Sequence, residues 1–294
     1  MNTFTTSTFS AQDGTRLSWR RYDPPAGAAD RTPVLCLAGL TRNAADFDKL
    51  ARRLSQDRPV ICPDYRGRGR SGRADWRTYT PATYVSDIFH LLVVADLHRI
   101  AVIGTSMGGL LAMALSVVMP SALAGAVIND VGPDISVDGQ SRILDYVGID
   151  RRFPSIEAAA DDLRATYAAT YPDWTDADWL TFARSTYAED AGAGQWVLDY
   201  DLKLRDALLA QTRNGELPDL WALFGGLRNR PVLLVHGGRS DVLRAETVGR
   251  MLERKPDMDV ITLPDRGHAP SLTEPGCLPG LLAFLERVDA NGHH

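Results

Sequence analysis

Three side chains of this 294-residue sequence have the types and the order to do nucleophilic chemistry: Ser106, a late aspartate and His268. Residues 100–109 read Ile-Ala-Val-Ile-Gly-Thr-Ser-Met-Gly-Gly. A β-branched run stops at Gly104, and an apolar run of helical character continues from Leu110 to Val118. Ser106 therefore stands in a Gly-x-Ser-x-Gly turn between a predicted strand and a predicted helix. So sharp a turn strains its apex residue and lifts Oγ above the sheet edge. The helix that follows offers the N–H of Met107 and a positive dipole end, both suited to a developing oxyanion. Alone the five-residue motif is weak; the strand before it and the helix after it make it informative.

A serine attacks a carbonyl only when a base takes its proton. Six histidines are available. His293 and His294 end the chain after Asn291-Gly292 and resemble part of a tag. His90 and His98 belong to a predicted helix and its end, and His236, closing the strand 231–236, is expected to be structural. His268 lies in the loop Pro264-Asp-Arg-Gly-His-Ala-Pro after a late predicted strand, where open α/β sheets bind ligands. Asp241 follows the strand 231–236 through Gly237-Gly-Arg-Ser, giving the order Ser106, Asp241, His268. Asp241 is therefore the expected acid. Asp130, after the strand that follows the nucleophile helix, is the rival.

With these residues the chain resembles the α/β-hydrolase fold family, over most of its length. Gly104-Thr-Ser-Met-Gly matches the family's nucleophile elbow, Asp64-Tyr-Arg-Gly-Arg-Gly-Arg-Ser71 its Asp-x-Arg-Gly-x-Gly-x-Ser loop, Gly238-Arg-Ser-Asp241 its acid loop and Gly267-His268 its histidine loop. Many relatives carry His-Gly at the oxyanion turn, whereas this chain reads Ala38-Gly39-Leu40-Thr41-Arg42-Asn43. The main-chain N–H of Leu40 still serves as a donor with that of Met107, but what supports the turn is open. The resemblance implies an α/β fold with a mostly parallel, doubly wound sheet and an inserted helical cap.

The elements that must position these residues alternate. Asp13-Gly14 marks a hairpin. Val34–Ala38 and Pro59–Pro63 are short apolar runs of the kind buried on both faces of a parallel sheet. Helices are predicted over 44–53, 83–96 and 107–118, and strands over 99–103 and 125–129. Strand–helix alternation of this kind gives right-handed crossovers. After Pro133 the pattern becomes helical: 156–169, a helix opened by Thr175-Asp-Ala-Asp178 in the manner of a capping box, then 202–210 and 218–224. Sheet character resumes at Pro231. The expected organisation is a core domain in two parts, 1–133 and 230–292, around a helical cap at 134–229.

The cap holds about half of the chain's 23 aromatic residues. Most are expected to pack a thin layer; Trp196 and Trp221 are candidates to line an apolar pocket above Ser106. Arg42, beside the oxyanion turn, either anchors a substrate carboxylate through a bidentate pair or simply pairs with Asp46. The arginines of the 66–73 loop are expected to be solvated guanidiniums.

Bulk properties narrow the class. A net charge of −5 and no basic run interleaved with aromatics disfavour nucleic acid. No phosphate-binding Gly-x-x-x-x-Gly-Lys-Ser/Thr loop occurs. The first ten residues have neither a basic nor an apolar segment, so no signal peptide is read. No run approaches the ~18 apolar residues of a membrane span. Three widely spaced cysteines, 36, 62 and 277, without metal-ligand spacing, point to a reducing, cytoplasmic setting.

The expectation is thus a serine hydrolase acting on a small-molecule carboxylic ester through an acyl-serine, needing no metal and no organic cofactor. A serine at the elbow argues against the aspartate-nucleophile chemistry of dehalogenases and epoxide hydrolases in the family. Lactone or carbon–carbon hydrolysis on the same triad stays open, and so does a non-catalytic ligand receptor. The sequence does not indicate an oligomeric state.

Overall fold

In a computed structural model, described over residues 4–214 and 219–291, short apolar runs become strands and the amphipathic stretches between them become covering helices. The terminal histidines, Gly292 and Pro218 lie outside the described residues. The chain opens with the hairpin β1 (Thr5–Ser10) and β2 (Arg16–Tyr22), joined where Gly14 takes a positive φ. Then come β3 (Val34–Leu37), α1 (Asp48–Leu54), β4 (Val60–Asp64), α2 (Pro81–Val94), β5 (Ile100–Thr105), α3 (Met107–Val118) and β6 (Leu123–Asn129). Helix α2 starts where Thr80 caps the Thr83 N–H and Pro81 occupies the first turn, a position that needs no backbone donor.

An insertion follows. It contains α4 (Val137–Tyr146), β7 (Arg152–Phe153), α5 (Ile156–Tyr167), α6 (Asp176–Thr186), β8 (Tyr187–Asp190), β9 (Gln195–Leu198), α7 (Leu204–Asn214) and α8 (Leu220–Gly225). The chain then returns to the sheet with β10 (Val232–Gly237), α9 (Ala245–Arg254), β11 (Asp259–Leu263) and α10 (Leu278–Ala290).

The main sheet has eight strands in the order β1-β2-β4-β3-β5-β6-β10-β11. β2 is antiparallel to both of its neighbours, β1 and β4; every later pairing is parallel. Every residue of β3, β4, β6 and β10 is buried, as strands covered on both faces must be. Cys36, Cys62 and Cys277 are buried, unpaired thiols.

The insertion is not purely helical as the sequence suggested. β7, β9 and β8 form a three-stranded antiparallel sheet. These strands are two to four residues long and only partly buried, too short to carry a periodic signal. Only the middle of the insertion has a core of its own, in which Ile156, Leu163, Tyr171, Trp179 and Tyr187 pack together. Its two flanks join the main core instead: Val147, Tyr200 and Leu204 on one side, Phe224 and Leu227 on the other. Helix α6 opens with the expected capping box between Thr175 and Asp178. Among the described residues no helix is long and apolar enough to cross a membrane.

Candidate active site

Ser106 sits between β5 and α3 with φ 52° and ψ −117°. A β-carbon on Gly104 would fall 2.2 Å from the Gly108 carbonyl oxygen, and one on Gly108 would fall 2.0 Å from that of Leu37. Glycine at both positions is thus what lets strand and helix close to this distance. The Ser106 N–H donates to the Asn129 carbonyl at 2.9 Å, fixing the turn against the end of β6.

His268 Nε2 lies 2.9 Å from Ser106 Oγ, and His268 Nδ1 lies 2.8 Å from Asp130 Oδ2. The carboxylate of Asp130 is fully buried, and its other oxygen accepts the Gly237 N–H at 2.8 Å. With Nδ1–H donating to the carboxylate, Nε2 is the nitrogen free to accept from the serine hydroxyl.

Asp241, the expected acid, is not in this series. Both its oxygens bind Arg142 of α4, Oδ1 at 3.0 Å from Nη2 and Oδ2 from Nε. The reason lies in the strand order. Asp130 follows β6, the neighbour of the β5 strand that carries Ser106, whereas Asp241 follows β10, one strand further out. Asp130 has φ 55°, a left-handed conformation that aspartate tolerates better than most residues. It is held there by its own N–H on the Val235 carbonyl at 2.8 Å. His236, expected to be structural, places Nε2 3.2 Å from the Leu243 carbonyl oxygen and is buried.

Asn129 is a residue that sequence reasoning missed. Its Nδ2 donates to Thr105 Oγ1 at 3.0 Å and to the Pro270 carbonyl at 2.8 Å, so it ties the serine strand to the histidine loop. Its place beside Asp130 at a strand end was the available signal. The cap holds the same loop through Tyr171, whose hydroxyl donates to the Ala269 carbonyl at 2.8 Å.

The turn at 38–43 rests against the elbow: a β-carbon on Gly39 would lie 3.8 Å from the Ser106 β-carbon. Its support comes from the loop after β4. Arg68 Nε donates to the Leu40 carbonyl at 2.9 Å, and Tyr65 donates to the Ala38 carbonyl at 3.3 Å. Two of the loop's arginines are therefore not solvated. Arg66 and Arg68 are each 1% exposed, Arg66 clamped between Asp87 and Asp13 and Arg68 also donating to the Tyr84 hydroxyl. Arg70 and Arg73 are exposed as expected. Met107 is the first residue of α3, so its N–H has no carbonyl within the helix to bind.

A cavity of about 750 Å³ opens onto Ser106, His268 and Leu40. Its aromatic lining includes Tyr146, Tyr167, Tyr171, Trp174 and Phe182. Trp196 and Trp221 are not part of it. Trp196 sits in β9 opposite Phe153, and Trp221 lies under Arg254 with its indole N–H on Asp134 at 3.0 Å. Helix α8, which carries Trp221, packs on α3.

Arg42 does line the cavity, but four of its five N–H donors are committed. They bind Asp46 through Nε at 2.7 Å and through Nη2, with Thr186 at 2.6 Å and Ser185 at 2.8 Å. Arg142 faces the same space. Burial works against its charge, and the Asp241 carboxylate more than offsets that. Among the described residues no group of three or more His, Cys, Asp or Glu side chains is arranged to hold a metal ion.

A buried carboxylate, an imidazole and a strained serine in hydrogen-bonded series can generate an alkoxide-like nucleophile at a carbonyl. A family model described as the alpha/beta hydrolase family matches residues 34–276. The chain is an α/β-hydrolase. It is 34% identical to 3-hydroxybutyrate-oligomer hydrolase of Cupriavidus necator over 267 residues, 88% of this chain and 89% of that one. A crystal structure of an α/β-hydrolase from Novosphingobium aromaticivorans is 41% identical and superimposes with a TM-score of 0.89, covering 98% of this chain and 99% of that one. More distantly, 2-(acetamidomethylene)succinate hydrolase of Mesorhizobium japonicum is 25% identical over 80% of this α/β-hydrolase and 81% of its own length.

Proposed function

We propose that this α/β-hydrolase cleaves carboxylic esters through an acyl-serine, with Ser106, His268 and Asp130 as its catalytic residues. The observation that carries the reading is the hydrogen-bonded series Ser106 Oγ, His268 Nε2, His268 Nδ1, Asp130 Oδ2, with 2.9 Å and 2.8 Å at its two links. His268 takes the Ser106 proton as Oγ bonds to the ester carbonyl carbon. The carbonyl oxygen becomes an oxyanion, held by the N–H groups of Leu40 and Met107. His268 then gives the proton to the departing alcohol as the carbon–oxygen bond breaks. Water enters, loses a proton to His268, attacks the acyl-serine and releases the acid and Ser106. Asp130 holds the imidazole in one tautomer and stabilises its cation throughout.

The substrate class rests on the cavity and on the likeness to 3-hydroxybutyrate-oligomer hydrolase. An oligomer of a hydroxy acid is joined by ester bonds, and a volume of about 750 Å³ lies in the range of small-molecule sites. The three buried, unpaired thiols favour a cytoplasmic setting for this small-molecule enzyme.

The test is hydrolysis of short p-nitrophenyl esters together with labelling by a fluorophosphonate. The parent chain should turn over esters and be labelled at Ser106. The Ser106→Ala variant should lose about 10⁴-fold or more in kcat with its fold intact. Labelling of Ser106 without turnover of any ester would support the receptor reading instead.

A further inference from the structure

Arg142 is one of four arginines that line the cavity, with Arg42, Arg151 and Arg239, and its donors are not all spent. Nε and Nη2 meet the two oxygens of Asp241, which leaves Nη1 and the second hydrogen of Nη2 without a protein partner among the described residues. Arg42, by contrast, is tied to Asp46, Ser185 and Thr186. Beside Arg142, Tyr146 and Tyr167 line the same cavity, and their hydroxyls make no hydrogen bond to another described residue. A planar guanidinium and two unengaged phenols form a cluster of donors in a cavity that aromatic, hydroxyl and charged side chains line together. Such a cluster suits a carboxylate, which accepts at both oxygens.

We propose that Arg142, with Tyr146 and Tyr167, binds the free carboxylate of the substrate and so selects esters that end in an acid, such as short hydroxy acid oligomers. This rests on the ester-hydrolase reading of the same cavity. Asp241 then has a definite role: it competes with the substrate carboxylate for the guanidinium and repels it, so it sets the strength of the preference. The two members of the pair must therefore act in opposite directions. A pair that merely struts the cap against the core would act in one direction, since either substitution breaks it.

Binding separates these outcomes whether or not the ligand is turned over. The ligands are 3-(3-hydroxybutanoyloxy)butanoate and its methyl ester, titrated by calorimetry into full-length Ser106→Ala protein. Arg142→Met in that background should weaken the free acid by roughly 10- to 100-fold, the range of a charged hydrogen-bonded contact. The methyl ester should change far less. Asp241→Asn should tighten the free acid. The inference is overturned if both ligands weaken equally on Arg142→Met, if Asp241→Asn weakens the acid, or if the acid binds no better than the ester to start with. Failure of the parent chain to hydrolyse either ligand, with these binding shifts intact, would count against the ester-hydrolase reading alone.

Discussion

His268 Nδ1 lies 2.8 Å from Asp130 Oδ2, and Asp130 is the residue directly after the strand that neighbours the one carrying Ser106. The carboxylate that meets His268 therefore arrives from the adjacent strand, not from the next strand out. Once Asp130 holds the imidazole, Asp241 is released from that duty. It stands in the cavity wall, paired across to the cap.

Closure of strand on helix at the elbow sets one prediction. A methyl group on Gly108 would collide with the Leu37 carbonyl, which leads directly into the oxyanion turn. Gly108→Ala should lower unfolding stability by about 2–3 kcal/mol or more, the range of overpacked sites. Urea denaturation reads the loss, and kcat should fall with it because both Ser106 and Leu40 are displaced.

Much of this was legible in the sequence, and the limits have physical causes. Ser106, His268 and the strand–helix alternation are carried by local patterns: glycines where the backbone closes, β-branched runs where a strand is buried. The acid is a matter of strand order, which is non-local; Asp130 and Asp241 both follow strands, and only the sheet's β5-β6-β10 sequence separates them. The arginine loop was misjudged because burial of Arg66 and Arg68 depends on Asp87, Asp13, Tyr84 and the Leu40 carbonyl, all distant along the chain. Trp196 and Trp221 share a composition with the cavity aromatics but sit on elements that face elsewhere. The 187–198 hairpin had a faint signal in Ala-Gly-Ala-Gly between two short runs, and its strands are too short for periodicity to report.

Arg68 supplies the next prediction. It is a positioning residue, acting through the Leu40 carbonyl at 2.9 Å. Arg68→Lys keeps the charge but loses the forked donor set. Because an oxyanion forms only in the transition state, kcat should fall by about 10-fold or more with KM little altered. Steady-state kinetics on a neutral ester makes the distinction; a rise in KM at constant kcat would indicate a different role.

Asp199 predicts a pH dependence. Burial, reinforced by the neighbouring Asp64 carboxylate, pushes its pKa up to about 6, while the unfolded chain has the ordinary value of 3.8. Between those values the native state binds the proton more tightly than the unfolded state does. The charge therefore destabilises the fold above about pH 6, and stability from this group rises as pH falls from 6 towards 4. Asp199→Asn should raise stability at pH 8 by on the order of 1–2 kcal/mol and flatten this part of the profile. The amide oxygen can still accept from Asn43, which now donates to the carboxylate at 2.9 Å. Thermal unfolding from pH 4 to 8 checks it.

The most direct measurement compares two substitutions of the same chemistry, Asp130→Asn and Asp241→Asn, by kcat on one short neutral ester. An amide at position 130 cannot hold the imidazole in the tautomer that accepts from Ser106, and kcat should fall by about 10⁴-fold. An amide at position 241 should cost less than about tenfold, since it removes an ion pair and no reacting group. Loss of activity on Asp241→Asn, with Asp130→Asn still active, would contradict the account.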